Sequence, residues 1–122
     1  MPRTPPGRDP DDLLPLTSAT FHILLALVDG EQHGYAIMRD VRQSTDGAVR
    51  LGPGTLYRAI QSLLGKALIE ESLRRPAADE DQRRRYYRLT PFGRRVLAAE
   101  ARRMALAVAR ARAKRVPLPH PG

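Results

Sequence analysis

The chain has 122 residues, of which 42% are hydrophobic and none is cysteine. This length suits one domain with a modest core, and the absence of cysteine excludes disulfide frameworks, thiolate metal sites and thiol catalysis. The 21 lysines and arginines exceed the 13 acidic residues, giving a net charge of +8 concentrated in the second half of the chain. This asymmetry indicates a polyanionic partner, with an arginine-rich solvated surface as the alternative. No apolar run approaches a membrane span, so we expect a cytoplasmic protein without a membrane partner.

The first two segments differ sharply in composition. Residues 1–15 are rich in proline and polar side chains, which predicts a flexible N-terminal arm without a specific role. Residues 16–28 predict the first helix, with Thr17 or Ser18 as its N-cap. Four apolar residues follow helical spacing, namely Phe21, Leu24, Leu25 and Val28. Ile23 and Leu27 form a second apolar side, so we expect them to contact another subunit.

Two further helices are expected next along the chain. The second begins at His33-Gly34-Tyr35 and runs to about Ser44. Arg39 and Arg42 lie three residues apart on its polar side and are suited to backbone phosphates. The third begins near Pro53-Gly54, with Thr55 as a candidate N-cap, and ends near Lys66. Its buried face is predicted to hold Leu56, Ile60, Leu63 and Leu64.

The other face of the third helix is polar and carries Tyr57, Arg58 and Gln61. Side chains of these types reach base edges in a DNA groove, and the N–H groups and dipole at Pro53-Gly54-Thr55 favour phosphate. An ordinary amphipathic core helix is the alternative. Together with the helix before it, this segment predicts a helix-turn-helix.

Two strands joined by a polar loop are expected after the third helix. Residues 68–73 and 85–89 are the candidate strands, which would complete a winged helix over residues 16–90. Within the loop the acidic run Asp79-Glu80-Asp81 would repel phosphate. We therefore expect the flanking arginines to contact DNA, among them Arg83, Arg84 and Arg85.

The last helix is expected over residues 91–115, with Thr90 as N-cap and Pro91 in its first turn. Five residues follow the spacing of a coiled-coil seam, namely Leu97, Ala101, Met104, Val108 and Ala111. We predict a dimerisation helix, with packing on the first helix of the same chain as the alternative. Residues 116–122 are predicted to be a disordered tail. The fold class is therefore mainly α with a small β-hairpin: a winged helix-turn-helix followed by a dimerisation helix.

Several motifs, in order and at matching intervals, resemble those of a known family. They are Gly34-Tyr35, Gly54-Thr55-Leu56-Tyr57, Leu68-Ile69 and the stretch from Arg84 to Gly93, which reads RRYYRLTPFG. The chain from about Leu16 to Ala113 resembles PadR-family transcriptional regulators in their short form with one C-terminal helix. The resemblance implies a homodimeric repressor that binds a palindromic operator in double-stranded DNA and dimerises through its first and last helices.

The resemblance also implies roles for individual residues. Thr55, Tyr57 and Arg58 would lie at the DNA, with the Tyr57 hydroxyl on a phosphate, and Tyr35 matches an aromatic position of the family. Of Tyr86 and Tyr87, which also match such positions, one is expected in the core because adjacent strand residues point to opposite faces.

The chain departs from the family in two places. Ala67 occupies the position where the family has a glycine after the third helix, and left-handed backbone is unfavourable for alanine, so we expect this helix to end differently. The chain lacks the tryptophans between which some members bind flat aromatic compounds. A small hydrophobic effector, if one acts, would instead lie near Phe21, Leu24, Phe92 or Met104.

An enzyme is not expected. The three histidines, His22, His33 and His120, accompany no plausible nucleophile–base pair, metal-ligand spacing or phosphate loop. The sequence therefore predicts no catalytic residue, no metal and no cofactor. A winged-helix module that binds an acidic protein partner through its basic surface is the second hypothesis.

Overall fold

A computed structural model describes residues 8–79 and 81–119. Within these residues the protein consists of four α-helices, a short 3-10 helix and a small antiparallel sheet, whose strand order is β1-β3-β2. The elements in chain order are α1 (Ser18–Ala26), β1 (Gln32–His33), α2 (Gly34–Ser44), α3 (Pro53–Gly65), β2 (Ile69–Glu71), β3 (Tyr86–Leu89) and α4 (Pro91–Ala113). The predicted fold class, mainly α with a winged helix, is confirmed. No helix in this described part of the chain is both long and apolar enough to cross a membrane.

The strand β1 is the element that sequence analysis missed. It pairs with β3 so that His33 lies opposite Tyr86 and Gln32 opposite Tyr87, which turns the expected hairpin into a three-stranded sheet. Two residues are too few to show the alternation that identifies a strand. Because β3 lies between two strands, both tyrosines are buried, and only Tyr87 joins the main hydrophobic cluster. The prediction that one of them lies in the core is confirmed.

The helix α1 is apolar around most of its circumference and lies inside the domain. Its N-cap is Thr17, whose hydroxyl accepts a hydrogen bond from the Thr20 N–H at 3.1 Å. Ile23 and Leu27 are buried among the core side chains of the same chain. The prediction that these two residues face another subunit is therefore wrong, because the tertiary fold covers them. The exposed large apolar side chain of α1 is Leu25.

Both ends of α3 differ from expectation. Gly52 is the N-cap and supplies no side-chain hydrogen bond, so the prediction of Thr55 as N-cap is wrong and Thr55 lies in the first turn. At the other end Ala67 adopts φ +59°, and the N–H groups of Ala67 and Leu68 donate to the carbonyls of Leu64 and Leu63. These bonds define a Schellman motif, which a glycine usually completes. The prediction that Ala67 makes this helix end differently is therefore wrong, because the alanine itself adopts the left-handed conformation.

The segment before α1 packs against α4. A short 3-10 helix spans Pro10–Leu13, and the Arg8 guanidinium lies 4.5 Å from the Phe92 ring centroid and donates to the Lys66 carbonyl at 2.9 Å. Leu16 N–H donates to Glu100 Oε2 at 2.7 Å. The prediction of a flexible arm is therefore wrong for residues 8–15, and residues 1–7 lie outside the described part.

The helix α4 begins as predicted, with the Thr90 hydroxyl accepting the Gly93 N–H at 2.9 Å and proline in the first turn. Its first half packs on the domain through Phe92, Val96 and Leu97, whereas most residues beyond Glu100 are exposed. The helix therefore extends away from the core as an arm. Of the predicted disordered tail, residues 116–119 contain no helix or strand, and residues 120–122 are outside the described part.

Candidate nucleic-acid interface

The exposed face of α3 is polar because its apolar residues follow one stripe. Leu56, Ile60 and Leu63 are buried in the core. The opposite face exposes the predicted DNA-contact residues Pro53, Gly54, Thr55, Tyr57, Arg58 and Gln61. The structure thus brings these six residues together on one solvent-facing surface near the start of the helix. Such a face has the length and chemistry to enter a major groove.

The start of α2 lies directly against this surface. A β-carbon on the buried Gly34 would be 3.4 Å from Leu56 Cδ2 and 3.6 Å from the Tyr57 hydroxyl oxygen. The start of α2 therefore packs directly on Leu56 and on the Tyr57 phenol of α3. Tyr35 and Tyr57 are both about half exposed, at 56% and 54%. Arg39, one turn beyond Tyr35, places its guanidinium 5.7 Å from the Tyr35 ring centroid.

His33 connects the start of α2 to the wing, which here denotes residues 69–89. Its Nδ1 accepts the Ala36 N–H at 3.2 Å and so caps α2, while Nε2 lies 3.2 Å from Nη1 of Arg84. The ring also meets the Tyr86 ring nearly at right angles, with centroids 5.3 Å apart. Sequence analysis missed this role because serine, threonine, aspartate and asparagine, rather than histidine, signal an N-cap. The neighbouring Gly34 was the available clue.

A cavity of about 340 Å³ lies between α3 and the wing. We call it the wing-side cavity, and it is lined by His33, Gly34, Tyr35, Tyr57, Asp81, Arg83, Arg84, Arg85 and Tyr87. Burial, followed by the proximity of Glu71 and Tyr57, raises the pKa of the Tyr87 hydroxyl. That hydroxyl therefore stays protonated at neutral pH and can donate a hydrogen bond. Phenol and guanidinium donors around one cavity suit an anionic group.

Each of the three wing arginines predicted to contact DNA has a partner: Arg83 and Arg85 pair with acidic residues of the wing, and Arg84 lies beside His33. Arg83 Nε lies 3.2 Å from Asp81 Oδ1, and this hydrogen bond lowers the pKa of the Asp81 carboxyl below its ordinary value. Nη1 of Arg85 is 3.1 Å and 3.3 Å from the two carboxylate oxygens of Glu71. Sequence analysis missed the pairing of Arg83 and Arg85 with acidic residues, because the Arg85–Glu71 contact depends on how the two strands pair.

The predicted dimerisation residues fall into two groups. Ala101 and Val108 are exposed, and Met104 and Ala111 are half-buried, so all four present surface on the arm. Leu97 is 7% exposed and belongs to the core. Its prediction as part of an open seam is therefore wrong, because the first half of α4 packs on its own domain.

The predicted effector residues do not form an open pocket. Leu24 and Phe92 are buried in the core, at 0% and 2% exposure, and Phe21 is partly buried at its edge. The prediction of a pocket lined by Leu24 and Phe92 is wrong, since core packing fills the space around them. Across the described ranges, no three histidine, aspartate or glutamate side chains come together as metal ligands.

The fold and this surface define a winged helix-turn-helix protein of the transcriptional-regulator class. Residues 23–99 match the family model described as "Transcriptional regulator PadR-like family", and the chain belongs to that family. The resemblance identified from the sequence motifs is thereby confirmed.

The relatives extend this assignment. An uncharacterized 37.1 kDa protein in transposon TN4556 of Streptomyces fradiae is 45% identical over 83 residues, covering 68% of this chain and 22% of that protein. The chain thus spans about a fifth of the length of this curated relative. A transcriptional regulator from Clostridium thermocellum is 27% identical with a TM-score of 0.66, covering 84% of this chain and 99% of that one. PadR of Bacillus subtilis in complex with operator DNA shares the fold, at 20% identity and a TM-score of 0.59, covering 68% of this chain and 46% of that one.

Proposed function

We propose that this chain represses transcription by binding a palindromic operator in double-stranded DNA as a homodimer. The observation that carries the proposal is the exposed polar face of α3, where Thr55, Tyr57, Arg58 and Gln61 are open to solvent and the exposed Tyr35 at the start of α2 lies nearby. The fold shared with Bacillus subtilis PadR, whose structure contains operator DNA, supports the same mode of binding.

In this proposal some residues of the exposed α3 face contact bases, and others contact the phosphate backbone of the DNA. Arg58 and Gln61 reach base edges in the major groove, where guanidinium and amide groups discriminate between base pairs. The Tyr57 hydroxyl donates to a phosphate, and Tyr35 and Arg39 contact the same strand. The N–H groups at Gly54 and Thr55 lie in the first turn of α3, where the helix dipole favours a phosphate. On the wing, Arg84 supplies a further contact.

Two copies are required to read a palindrome. The exposed arm of α4, with Met104, Val108 and their neighbours, would pair with the same arm of a second copy. Leu25 would extend the contact, because it is the exposed apolar side chain of α1. The two α3 helices would then enter major grooves about one helical turn apart, roughly 10 bp. A small hydrophobic effector bound between the copies would change the spacing of the α3 helices and release the operator.

The first test is selection of random duplexes by the purified protein at near-physiological salt, followed by sequencing. We expect an enriched palindrome with half-sites about one helical turn apart. The absence of an enriched motif, with binding lost as salt rises, would overturn the proposal and favour the module that binds an acidic protein.

A second test shows whether Arg58 of α3 contacts a base or a phosphate. Arg58→Ala should weaken binding to the selected operator by about 1–3 kcal/mol and relax the preference at one base position. Arg102→Ala, a matched loss of an exposed arginine on α4, should leave that preference unchanged. A uniform loss over all sequences for Arg58→Ala would instead place this residue on a phosphate.

A further inference from the structure

A second basic cavity lies beside α3, separate from the wing. It has a volume of about 370 Å³ and lies between α2 and the loop that precedes α3. We call it the loop-side cavity, and its lining includes Tyr35, Arg39, Arg42, Arg50 and Gly52. Tyr35 lines the wing-side cavity as well, so this one ring stands between the two.

The three arginines of the loop-side cavity differ from Arg83 and Arg85 in their partners. Within the residues that the structure describes, Arg39, Arg42 and Arg50 form no ion pair with a carboxylate, whereas Arg83 and Arg85 pair with Asp81 and Glu71. Arg39 and Arg42 lie three residues apart on one helix, where two like charges are close enough to repel each other. An anion that enters this cluster offsets the repulsion between the arginines, so binding of an anion there is favourable.

Arg50 lies on the loop between α2 and α3 and lines the cavity. Its Nη2 would lie 3.7 Å from a β-carbon on Gly47, which adopts φ +80°, so the guanidinium packs along the turn that ends α2. The Arg39 guanidinium lies beside the Tyr35 ring at the opposite edge. Gly52, the N-cap of α3, also lines the cavity and makes no side-chain hydrogen bond to the first turn of α3.

We infer that Arg39, Arg42 and Arg50 bind backbone phosphates of DNA on the side of α3 away from the wing, and that this cluster supplies more of the salt-dependent attraction than Arg83 and Arg85. The inference rests on the proposed function; it adds Arg50 to the phosphate contacts expected of Arg39 and Arg42, and it ranks this cluster above Arg83 and Arg85. It follows from charge: a phosphate entering the loop-side cavity meets three uncompensated cations, whereas a phosphate at Arg83 or Arg85 must displace a carboxylate.

The test compares two double variants that each remove two positive charges. Arg42→Ala/Arg50→Ala and Arg83→Ala/Arg85→Ala are titrated by fluorescence anisotropy against the selected operator and against a scrambled duplex of equal length, over about 50–200 mM salt. The slope of log K against log salt should become less steep by about 0.9 for each phosphate that Arg42→Ala/Arg50→Ala no longer neutralises. Arg83→Ala/Arg85→Ala should change it clearly less, and Arg42→Lys/Arg50→Lys should restore it.

The outcomes separate this inference from the proposed function. Equal slope changes in the two double variants, with wild-type binding intact, would overturn the role of the loop-side cavity alone. Wild-type protein that binds both duplexes equally would overturn operator recognition, while the slopes on the scrambled duplex would still support or overturn the phosphate cluster. Wild-type protein that binds neither duplex would overturn both. Thermal unfolding of each variant shows that a changed slope does not come from a lost fold.

Discussion

Gly93 in the first turn of α4 lies against the backbone carbonyl of Leu68, at the end of the α3–β2 connection. A β-carbon on Gly93 would overlap the Leu68 carbonyl oxygen and lie 2.9 Å from its carbonyl carbon. That oxygen also accepts the Thr90 N–H at 3.2 Å, so it cannot move aside without breaking a hydrogen bond. This close approach fixes α4 against the rest of the domain.

Gly93→Ala should therefore destabilise the fold by about 3 kcal/mol or more, at the upper end of the range for overpacking. Gly65→Ala is the matched control, because nothing lies within 4 Å of a β-carbon at that helical position. Alanine there should stabilise the protein by roughly 0.5–1 kcal/mol. Urea unfolding measures both, and similar effects of the two substitutions would contradict the close approach at Gly93.

Ala67 tests the strain at the end of α3. Because its φ is +59°, Ala67→Gly should remove an unfavourable left-handed alanine and raise the unfolding free energy by about 1 kcal/mol. The same substitution at the exposed Ala98, inside α4, should lower it by about 1 kcal/mol. Thermal unfolding at one protein concentration should give shifts of opposite sign. A lowered melting temperature for Ala67→Gly would show that residue 67 does not adopt the left-handed conformation at the end of α3.

The stability of the fold should depend on pH in the acid range through the ionisation of Glu100. Its carboxylate pairs with Arg103 Nε and accepts the Leu16 N–H, and the hydrogen bond from Arg103 is the main reason that its pKa lies below the ordinary 4.5. Since the pKa is lowered in the folded state, this stabilisation is complete above pH 4.5 and is lost as the pH falls through the folded value.

Glu100→Gln should lower the unfolding free energy by about 1 kcal/mol at pH 7. The difference from wild type should shrink as the solution is acidified below the ordinary pKa of the carboxyl. Urea unfolding over a pH series at one protein concentration measures this. A difference that stays constant down to acid pH would mean that the carboxylate charge does not stabilise the fold.

Asp81 should limit the affinity of the wing for DNA. Because it pairs with Arg83 and its pKa is lowered, it remains ionised at neutral pH. Asp81→Asn keeps an oxygen that can accept the Arg83 backbone N–H but releases the guanidinium, so the salt dependence of DNA binding should become steeper. Asp79→Asn removes one charge from the same loop as a control and should have a smaller effect. Equal effects would mean that only the net charge of the loop matters.

Val108 tests the proposed dimer. It is 44% exposed on the arm of α4, so Val108→Glu should not disturb the core of one chain. A buried carboxylate between two copies is costly, so the variant should sediment as a monomer and lose operator binding. Ala109→Glu places the same charge on a neighbouring face and should stay dimeric. An unchanged sedimentation coefficient for Val108→Glu would remove this part of α4 from the interface.

The caps of α1 and α4 and the periodicity of α3 were predictable because they depend on neighbouring residues, whereas the caps of α2 and α3 were not. Thr17 and Thr90 cap α1 and α4 through residues three positions ahead. In the same way, Leu56, Ile60 and Leu63 define the buried face of α3, and with it the exposed candidate surface. The PadR-like family was recognisable for the same reason, since its motifs occur at the turns and helix starts of the chain.

The sequence by itself therefore determined the helices, the winged-helix class and the residues that α3 exposes. The tertiary structure alone decided the pairing of β1 with β3, the burial of Ile23, Leu27 and Leu97, and which arginines meet a carboxylate. These features depend on interactions between residues far apart in the chain: Leu16 meets Glu100 across 84 positions, and Arg85 meets Glu71 across 14. Helix caps and periodicity act over three or four residues, whereas such interactions exist only once the elements have packed together.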